Sequence, residues 1–187
     1  MSADLPGVLL VPGWTGSGPR HWQSLWRRRH PEFALAAQRD WDRPEREEWT
    51  AALLGAITRA GRPVVLAAHS LGGILVAHAA PRVVPGSVAG ALIVAPADCE
   101  AAGADEALRG FAPVPLARLP FSAHVIAGSD DPFVTLERAR GFAAAWGATF
   151  ECAGACGHFD SASGLGAWPG GLERLEALRA RAIAPGA

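Results

Sequence analysis

Short apolar runs alternate along the chain with longer stretches in which apolar residues recur every three or four positions. Apolar runs of about four to eight residues bounded by turn residues are typical of buried strands, whereas the longer periodic stretches are typical of helices. The predicted strands cover residues 8–11, 33–38, 63–68, 88–95, 124–128 and 149–152. The predicted helices cover residues 21–29, 45–60, 71–80, 134–146 and 169–183, with a short one at 104–111.

Strands that are apolar throughout and separated by helices indicate a parallel sheet covered by helices on both faces. We therefore expect an α/β fold, a three-layer α/β/α sandwich around a parallel sheet of about six strands. Right-handed crossovers place the carboxyl ends of such strands along one edge, where ligand sites collect. A length of 187 residues fits a single domain spanning residues 1–187. The long aperiodic segment at residues 96–120 is typical of a functional or mobile loop.

Composition excludes several classes of function. Half of the residues are apolar and the net charge is −1, so no basic surplus points to a nucleic-acid partner. No apolar stretch is long enough to cross a bilayer, so no membrane association is expected. The first residues lack a basic segment followed by an apolar one, which predicts a cytoplasmic protein. The odd number of cysteines fits free thiols in a reducing compartment: Cys99, Cys152 and Cys156.

One predicted strand runs directly into a turn that has the pattern of a reactive serine. The strand at residues 63–68 is followed by His-Ser-Leu-Gly at residues 69–72, with Ala68 two positions before Ser70 and Gly72 two positions after it. A sharp turn brings the flanking backbone close together, so small residues are needed on both sides of the serine. This arrangement resembles the nucleophile elbow of α/β-hydrolases. The alternative is that Ser70 only caps the helix that follows it.

A serine nucleophile needs a base, and the base needs a carboxylate that orients it. In α/β-hydrolases these partners follow the serine in the order acid, then histidine. Asp131 and His158 each lie just beyond the carboxyl end of a later predicted strand. The order and the positions predict a catalytic triad of Ser70, Asp131 and His158. Asp130 is the alternative acid, and Asp131 is favoured because Pro132 fixes the backbone directly after it.

Acyl transfer passes through a negatively charged oxygen, which backbone N–H groups can stabilise. We expect one N–H from Leu71, at the start of the helix that follows the serine. The second is expected from Trp14, in the glycine-rich segment 11–16 after the first strand. The same segment could bind phosphate, but it lacks both the Gly-Lys-Ser/Thr ending and the glycine spacing of dinucleotide sites.

Residues near the first loop are expected to line a substrate pocket: Gly13, His21 and Trp41. Trp14 and Trp22 could wall the same pocket or be ordinary packing residues. The side chain of His69 is expected to point away from the turn. No role is predicted for His30, His78 and His124.

A metal site is the alternative interpretation of Cys152, Cys156 and His158. Structural zinc normally needs four ligands, and no fourth ligand is evident in the sequence. We therefore expect neither a metal nor another cofactor.

Seven segments of the chain together resemble the small serine hydrolases related to retinoblastoma-binding protein 9, including their bacterial members. They are Val11-Pro12-Gly13-Trp14, His21-Trp22, His69-Ser70-Leu71-Gly72, Ala95-Pro96-Ala97-Asp98, Ser129-Asp130-Asp131-Pro132-Phe133, Gly157-His158 and Trp168-Pro169. The resemblance implies a compact α/β-hydrolase fold with a minimal lid at residues 96–120, lacking the two N-terminal strands of larger relatives. It also implies the triad Ser70, Asp131 and His158. The chain lacks a Leu-x-Cys-x-Glu segment, so no protein partner is carried over from the family name.

These observations predict a serine hydrolase that cleaves a small ester, thioester or amide through an acyl-enzyme. A second hypothesis is a hydrolase-like binding protein with little or no turnover, because one fold can host many functions. A third, a different reaction such as perhydrolysis or dehalogenation, is less favoured, since dehalogenation would need a carboxylate at position 70.

Overall fold

The computed structural model describes residues 5–182, and its regular elements alternate between strands and helices. In chain order they are β1 (Gly7–Val11), α1 (Trp22–Arg29), β2 (Ala34–Leu35), α2 (Arg46–Arg59), β3 (Val64–His69), α3 (Leu71–Ala79), β4 (Val88–Val94), α4 (Glu106–Arg109), β5 (Ala123–Ala127), α5 (Leu136–Trp146), β6 (Thr149–Cys152) and α6 (Pro169–Arg181). The last helix is predicted to reach Ile183, which lies outside the described residues.

The strands form one parallel sheet in the order β2-β1-β3-β4-β5-β6, which confirms the predicted six-stranded parallel sheet. From β1 the chain moves outward to β2 and then crosses back to form β3 on the other side of β1. The connections that leave the carboxyl ends of β1 and β3 therefore run in opposite directions. In open parallel sheets the gap between two such strand ends is where ligands bind.

Each face of the sheet is covered by its own apolar core, because successive side chains of a strand point to opposite faces. In β1, Leu9 and Val11 belong to the core formed with α2, α3 and α5. Val8 and Leu10 belong to the core formed with α1 and α6 on the other face. Helices thus cover both faces, as predicted for a three-layer α/β/α sandwich.

Two buried tryptophans of α1 connect the start of the chain to the loop that carries His158. The indole N–H of Trp22 donates to the carbonyl of Phe159 (3.0 Å), and that of Trp26 donates to the carbonyl of Ala167 (2.6 Å). The two indole rings are in contact, with centroids 4.5 Å apart. Trp22 is therefore a packing residue that holds the loop between β6 and α6 against the first helix.

The second strand is much shorter than the predicted run of residues 33–38. Only Ala34 and Leu35 pair with β1. The N–H of Ala37 donates to the carbonyl of Leu35 (3.0 Å), so the backbone turns sharply there and leaves the sheet. Because β2 is an edge strand, it is hydrogen-bonded to β1 alone, and no second neighbouring strand holds the chain in the sheet.

The fifth helix begins two residues later than predicted because Thr135 caps it. The Thr135 side chain accepts a hydrogen bond from the N–H of Arg138 (3.1 Å), which satisfies a free donor of the first turn. The helix ends at Trp146, and the left-handed backbone of the following Gly147 (φ 69°) is typical of this position. Between residues 5 and 182, no helix has the combination of length and apolar character needed to span a membrane.

Candidate active site

Ser70 lies in the tight turn between β3 and α3, in a strained backbone conformation. Its φ is 54° and its ψ is −125°, a region that residues other than glycine rarely adopt. Such angles cost on the order of 1–3 kcal/mol and persist only where the surroundings enforce them. Here the Ser70 N–H donates to the carbonyl of Val94 (2.9 Å), which fixes the turn to the end of β4. The strain expected of a nucleophile elbow is therefore present.

Glycine is required at position 72 of this turn and at position 13 of the loop after β1, because the two backbones approach each other closely. A Cβ atom on Gly72 would lie 2.2 Å from the carbonyl oxygen of Val11, at the end of β1. A Cβ atom on Gly13 would lie 2.9 Å from the Cβ atom of Ser70 and 3.0 Å from the nitrogen of Leu71. The loop after β1 and the start of α3 are thus in contact around the serine.

Three side chains from the carboxyl ends of separate strands form one line of hydrogen bonds. The hydroxyl of Ser70 donates to Nε2 of His158 (2.8 Å). The Nδ1–H of His158 donates to the carboxylate of Asp131, with both oxygens 2.9 Å away. The Asp131 side chain is fully buried and that of His158 is 8% exposed, so water is nearly excluded from this line. The structure brings together the three residues predicted as a triad.

The two adjacent aspartates have different partners. The carboxylate of Asp130 accepts a hydrogen bond from the backbone N–H of Gly157 (2.8 Å), next to His158. Asp131 instead contacts the His158 ring and also accepts from the N–H of Phe133 (2.8 Å). Of the two candidates, Asp131 has the geometry to orient the imidazole, whereas Asp130 holds the loop backbone.

Of the two residues predicted to supply oxyanion N–H groups, Leu71 directly follows the serine and Trp14 lines the same cavity. Leu71 is the first residue of α3, so its N–H has no acceptor within the helix. Trp14 lines the cavity that also contacts Ser70, and its indole N–H donates to the carbonyl of Asp42 (3.0 Å). In residues 5–182, neither backbone N–H donates to another protein group. Both are available to an oxygen bound next to Ser70.

A cavity of about 520 Å³ opens at the carboxyl edge of the sheet next to Ser70. Its apolar lining residues include Leu108 and Phe133, and its polar lining residues include His21 and Asp160. A cavity of this size accommodates a small molecule. It therefore joins the hydrogen-bonded line of side chains to a space in which a substrate can bind.

The predicted pocket residues are only partly found at this cavity. His21 lines it, but Trp41 does not. The Trp41 ring lies behind the first loop, where a Cβ atom on Gly16 would be 3.2 Å from it, and it packs edge-on against buried Trp49 (5.6 Å between centroids). Gly13 is likewise absent from the cavity wall, because it lies against the backbone of the elbow. Of the three predicted pocket residues, the structure thus places His21 at this cavity and Trp41 and Gly13 beside it.

His69 has a structural role at the site that the sequence reasoning missed. Its side chain does not point away from the site: Nε2–H donates to the backbone carbonyl of His158 (2.7 Å). Its ring lies 4.9 Å from the His158 ring and also lines the cavity. The sequence feature that indicates a place for His69 at the site is its position directly before the serine, at the carboxyl end of a strand.

The two histidines beside His158 are held neutral by burial. Desolvation is the main cause that lowers the pKa of His21 to about 4, against an ordinary value of 6.5. The charge of Asp160 opposes this shift, and nearby His158 adds to it. Desolvation likewise lowers the pKa of His69 well below its ordinary value. Near pH 7 these rings therefore add polar atoms to the site without adding charge.

The segment 96–120, predicted as a lid, packs against both α3 and α5. Leu108 and Phe111 are buried in the core of that face, and Nε2–H of His78 donates to the carbonyl of Phe111 (2.8 Å). Arg138 of α5 forms an ion pair with Glu100 in the segment. Of residues 96–120, Leu108 alone lines the cavity. The segment therefore contributes one apolar residue to the cavity wall.

The two cysteines that precede His158, Cys152 and Cys156, have different surroundings. The thiol of Cys156 donates to the carbonyl of Ala153 (3.2 Å), and Cys152 is exposed. Throughout the part of the chain that the structure describes, no three His, Cys, Asp or Glu side chains are grouped so that they could hold a metal ion.

Solved structures share this fold over nearly the whole chain. A protein from Pectobacterium atrosepticum, assigned as a YdeN-like hydrolase, is 30% identical, with a TM-score of 0.85 over 96% of this chain and 93% of that one. The ydeN gene product from B. subtilis is 18% identical, with a TM-score of 0.77 over 92% and 98% of the two chains. A thermophilic esterase from Thermogutta terrifontis is 16% identical, with a TM-score of 0.65 over 94% and 91%. The last two likenesses concern the fold alone.

The comparison with protein families covers most of the sequence. A search of curated proteins found no match. Residues 8–177 match the serine hydrolase family, a stretch that contains every side chain of the hydrogen-bonded line. Together with the 30% identity to the YdeN-like hydrolase, which extends over 96% of the chain, this match shows that the protein belongs to the serine hydrolase family.

Proposed function

We propose that this hydrolase cleaves small carboxylic esters, or the corresponding thioesters or amides, through an acyl-enzyme on Ser70. The observation that supports this most is the line of hydrogen bonds from Ser70 through His158 to the buried carboxylate of Asp131. A serine at the cavity wall with a base on one side and an ordered acid behind the base has the arrangement of acyl-transfer enzymes.

In the first half of the reaction, Oγ of Ser70 attacks the carbonyl carbon of the substrate. Its proton moves to Nε2 of His158, which lies 2.8 Å away. The carboxylate of Asp131 stabilises the imidazolium that forms and keeps the ring in the tautomer that carries the proton on Nδ1. When the bond to the leaving group breaks, Nε2–H returns the proton to the departing oxygen, sulfur or nitrogen.

In the second half, water takes the place of the leaving group. His158 accepts a proton from that water as its oxygen attacks the acyl carbon, and then returns the proton to Oγ of Ser70 as the acid is released. In both halves the carbonyl oxygen becomes negatively charged. The N–H groups of Trp14 and Leu71, which have no other protein partner in the described chain, are assigned as its donors.

The cavity favours modest substrates. A volume of about 520 Å³ suits a short acyl group better than a long chain. The motifs that resemble retinoblastoma-binding protein 9 and its bacterial relatives support placing the chain in that group of small hydrolases. No protein partner follows from that placement.

A fluorophosphonate probe tests the proposal, because it reacts with activated serines. The wild-type protein should be labelled and should hydrolyse phenyl butanoate, whereas Ser70→Ala should lose both properties while keeping its circular dichroism spectrum. Cys152→Ser is the matched control, since it removes an exposed nucleophile and should leave both unchanged. Undiminished labelling of Ser70→Ala would contradict the proposal. A folded wild-type protein inert to probe and ester would favour a binding protein on this scaffold instead.

A further inference from the structure

His21 carries a hydrogen-bond donor that the mechanism above does not use. It caps the start of α1, where its Nδ1 accepts a hydrogen bond from the N–H of Gln23 (3.2 Å). A neutral imidazole that accepts at Nδ1 carries its proton on Nε2. The Nε2 atom of His21 is buried, and it has no hydrogen-bond partner within residues 5–182.

A buried donor without an acceptor is unusual. Nearly all buried polar groups in proteins are hydrogen-bonded, because leaving one unpaired costs stability. Across residues 5–182 the other such atom is Oε1 of Gln38, whose residue does not line the cavity. His21 is 3% exposed and does line it, together with Ser70 and His158. The unpaired donor therefore belongs to a residue of the binding cavity.

Neighbouring rings fix the orientation of His21. Its ring lies 4.7 Å from that of His69, which in turn lies 4.9 Å from that of His158. His69 is tied to the backbone of His158, so the three rings form one packed row beside the nucleophile. A ring fixed by a cap bond on one side and an aromatic contact on the other loses little entropy when it binds a ligand.

The charges around His21 favour an uncharged acceptor. The ring is neutral near pH 7, and Asp160, which also lines the cavity, is close enough for its charge to act on His21, so it disfavours a second anion there. Arg20 also lines the cavity, but it is exposed, so its attraction for anions is screened by water. An ether, carbonyl or hydroxyl oxygen meets these conditions better than a carboxylate.

We propose that Nε2–H of His21 donates a hydrogen bond to an uncharged oxygen of the substrate beside the scissile ester, and so selects oxygen-bearing small esters over their hydrocarbon analogues. This inference rests on the proposed esterase function. His21 is then a specificity-determining residue that contacts the substrate outside the reacting bond.

Two pairs of esters that differ by one oxygen test this selectivity. On the acyl side, phenyl methoxyacetate is compared with phenyl butanoate, and on the alcohol side, 2-methoxyethyl butanoate is compared with butyl butanoate. Within each pair an ether oxygen replaces a methylene. The ratio of kcat/KM within a pair is compared between wild type and variant, so intrinsic differences in reactivity cancel. The pair that responds identifies the side of the ester that His21 contacts.

The variants separate the donor from the helix cap. His21→Asn and His21→Ser keep a side chain that can cap α1 but lack the ring donor, whereas His21→Phe keeps a ring and loses both polar functions. In all three, the kcat/KM ratio of one pair should shift by about 3–10-fold against the oxygen-bearing ester, mainly through KM. Two cap-competent variants are used so that a folding failure in one does not decide the result.

The proposal is overturned if both ratios in His21→Asn and His21→Ser equal those of wild type. A residue that only caps the helix would give this result, and His21→Phe would then lower kcat/KM equally for all four esters. Phenyl hydrogen succinate, an ester whose acyl group carries a carboxylate, tests the charge of the acceptor. A wild-type kcat/KM that is higher for this ester than for phenyl methoxyacetate would also contradict the proposal. Labelling of Ser70 by the fluorophosphonate probe in each variant distinguishes these outcomes from a failure of the esterase function itself.

Discussion

The two edges of the sheet both carry cavities, but their chemistry differs. At the carboxyl edge, a cavity of about 520 Å³ touches the buried polar residues His21, His69, Ser70 and His158. At the amino edge, three cavities of about 360, 420 and 450 Å³ are lined largely by apolar side chains and glycine, and Val84 lines two of them. Within residues 5–182, no buried polar side chain lines the amino-edge cavities.

The two groups of cavities therefore differ most clearly in the polar groups that line them. A groove between apolar side chains has no special cost, whereas buried polar groups and strained backbone each reduce the stability of the fold. In this protein Ser70, with its φ of 54°, and three buried histidines meet at one edge. A concentration of such costs is typical of a functional site. The predictions below test whether the two edges are as different as this comparison indicates.

The largest effect is expected from the two aspartates at the carboxyl edge. Asp131→Asn should lower kcat/KM for phenyl butanoate by about 10³–10⁴-fold, because an amide cannot hold His158 in the required tautomer. Asp130→Asn is the matched control and should change kcat/KM by less than about 10-fold, because its carboxylate binds only the N–H of Gly157. Steady-state kinetics measure kcat/KM for both variants. A large loss in Asp130→Asn and a small one in Asp131→Asn would show that Asp130 is the triad acid.

Acid should destabilise the protein through its buried histidines. In the unfolded chain His21 returns to its ordinary pKa of 6.5, whereas in the fold its pKa is about 4. Between these values the unfolded state binds more protons, so stability is complete above pH 6.5 and is lost as the pH falls through 4. The loss attributable to His21 is roughly 3 kcal/mol. His69 shifts in the same direction.

Urea unfolding at a series of pH values measures this effect. The free energy of unfolding of the wild type should fall between pH 6.5 and 4 more steeply than that of His21→Asn, which has one titrating group fewer. Parallel curves for the two proteins would mean that His21 is not held neutral by the fold.

A smaller effect is expected from the strain at Ser70. Ser70→Gly should be more stable than Ser70→Ala by about 1 kcal/mol, because glycine adopts positive φ without a steric penalty. Both variants lose the hydroxyl, so the comparison isolates the backbone. Thermal unfolding of the pair gives the difference, and equal stability would show that the turn is not strained.

The smallest effect is expected at the amino edge. Val84 is 67% exposed and lines two of the cavities there, so Val84→Ser should change the free energy of unfolding by no more than about 0.5 kcal/mol. The value of kcat/KM should stay within about twofold, since the reacting groups are at the opposite edge of the sheet. A marked loss of activity with an intact fold would show that the amino edge takes part in function and would remove the distinction between the edges.

Strand positions could be predicted well because continuous apolar runs are a strong local signal. The predicted bounds of β3, β5 and β6 agree with the structure within one residue, and the residues just beyond these strands include the candidates Ser70, Asp131 and His158. The two-residue β2 could not be predicted, because the turn at Ala37 depends on a hydrogen bond to Leu35 rather than on composition.

Side-chain directions at the site were harder to predict. Trp41 was expected in the pocket because it follows an early strand, but contact with Trp49 from α2 holds it behind the first loop. His69 was expected to point away from the site, yet its acceptor is the carbonyl of His158, which is 89 residues away in the chain. Contacts between segments so distant in sequence leave no local pattern, so only the fold reveals them.

The central claim is that Ser70 carries the acyl group during turnover. The most direct measurement is mass spectrometry of protein quenched in acid during the reaction with phenyl butanoate, followed by peptide mapping. We predict a butanoyl group on Ser70 that is absent from Ser70→Ala and that disappears when the ester is exhausted. A butanoyl group on another residue, or active turnover with no acylated protein at any quench time, would contradict the account.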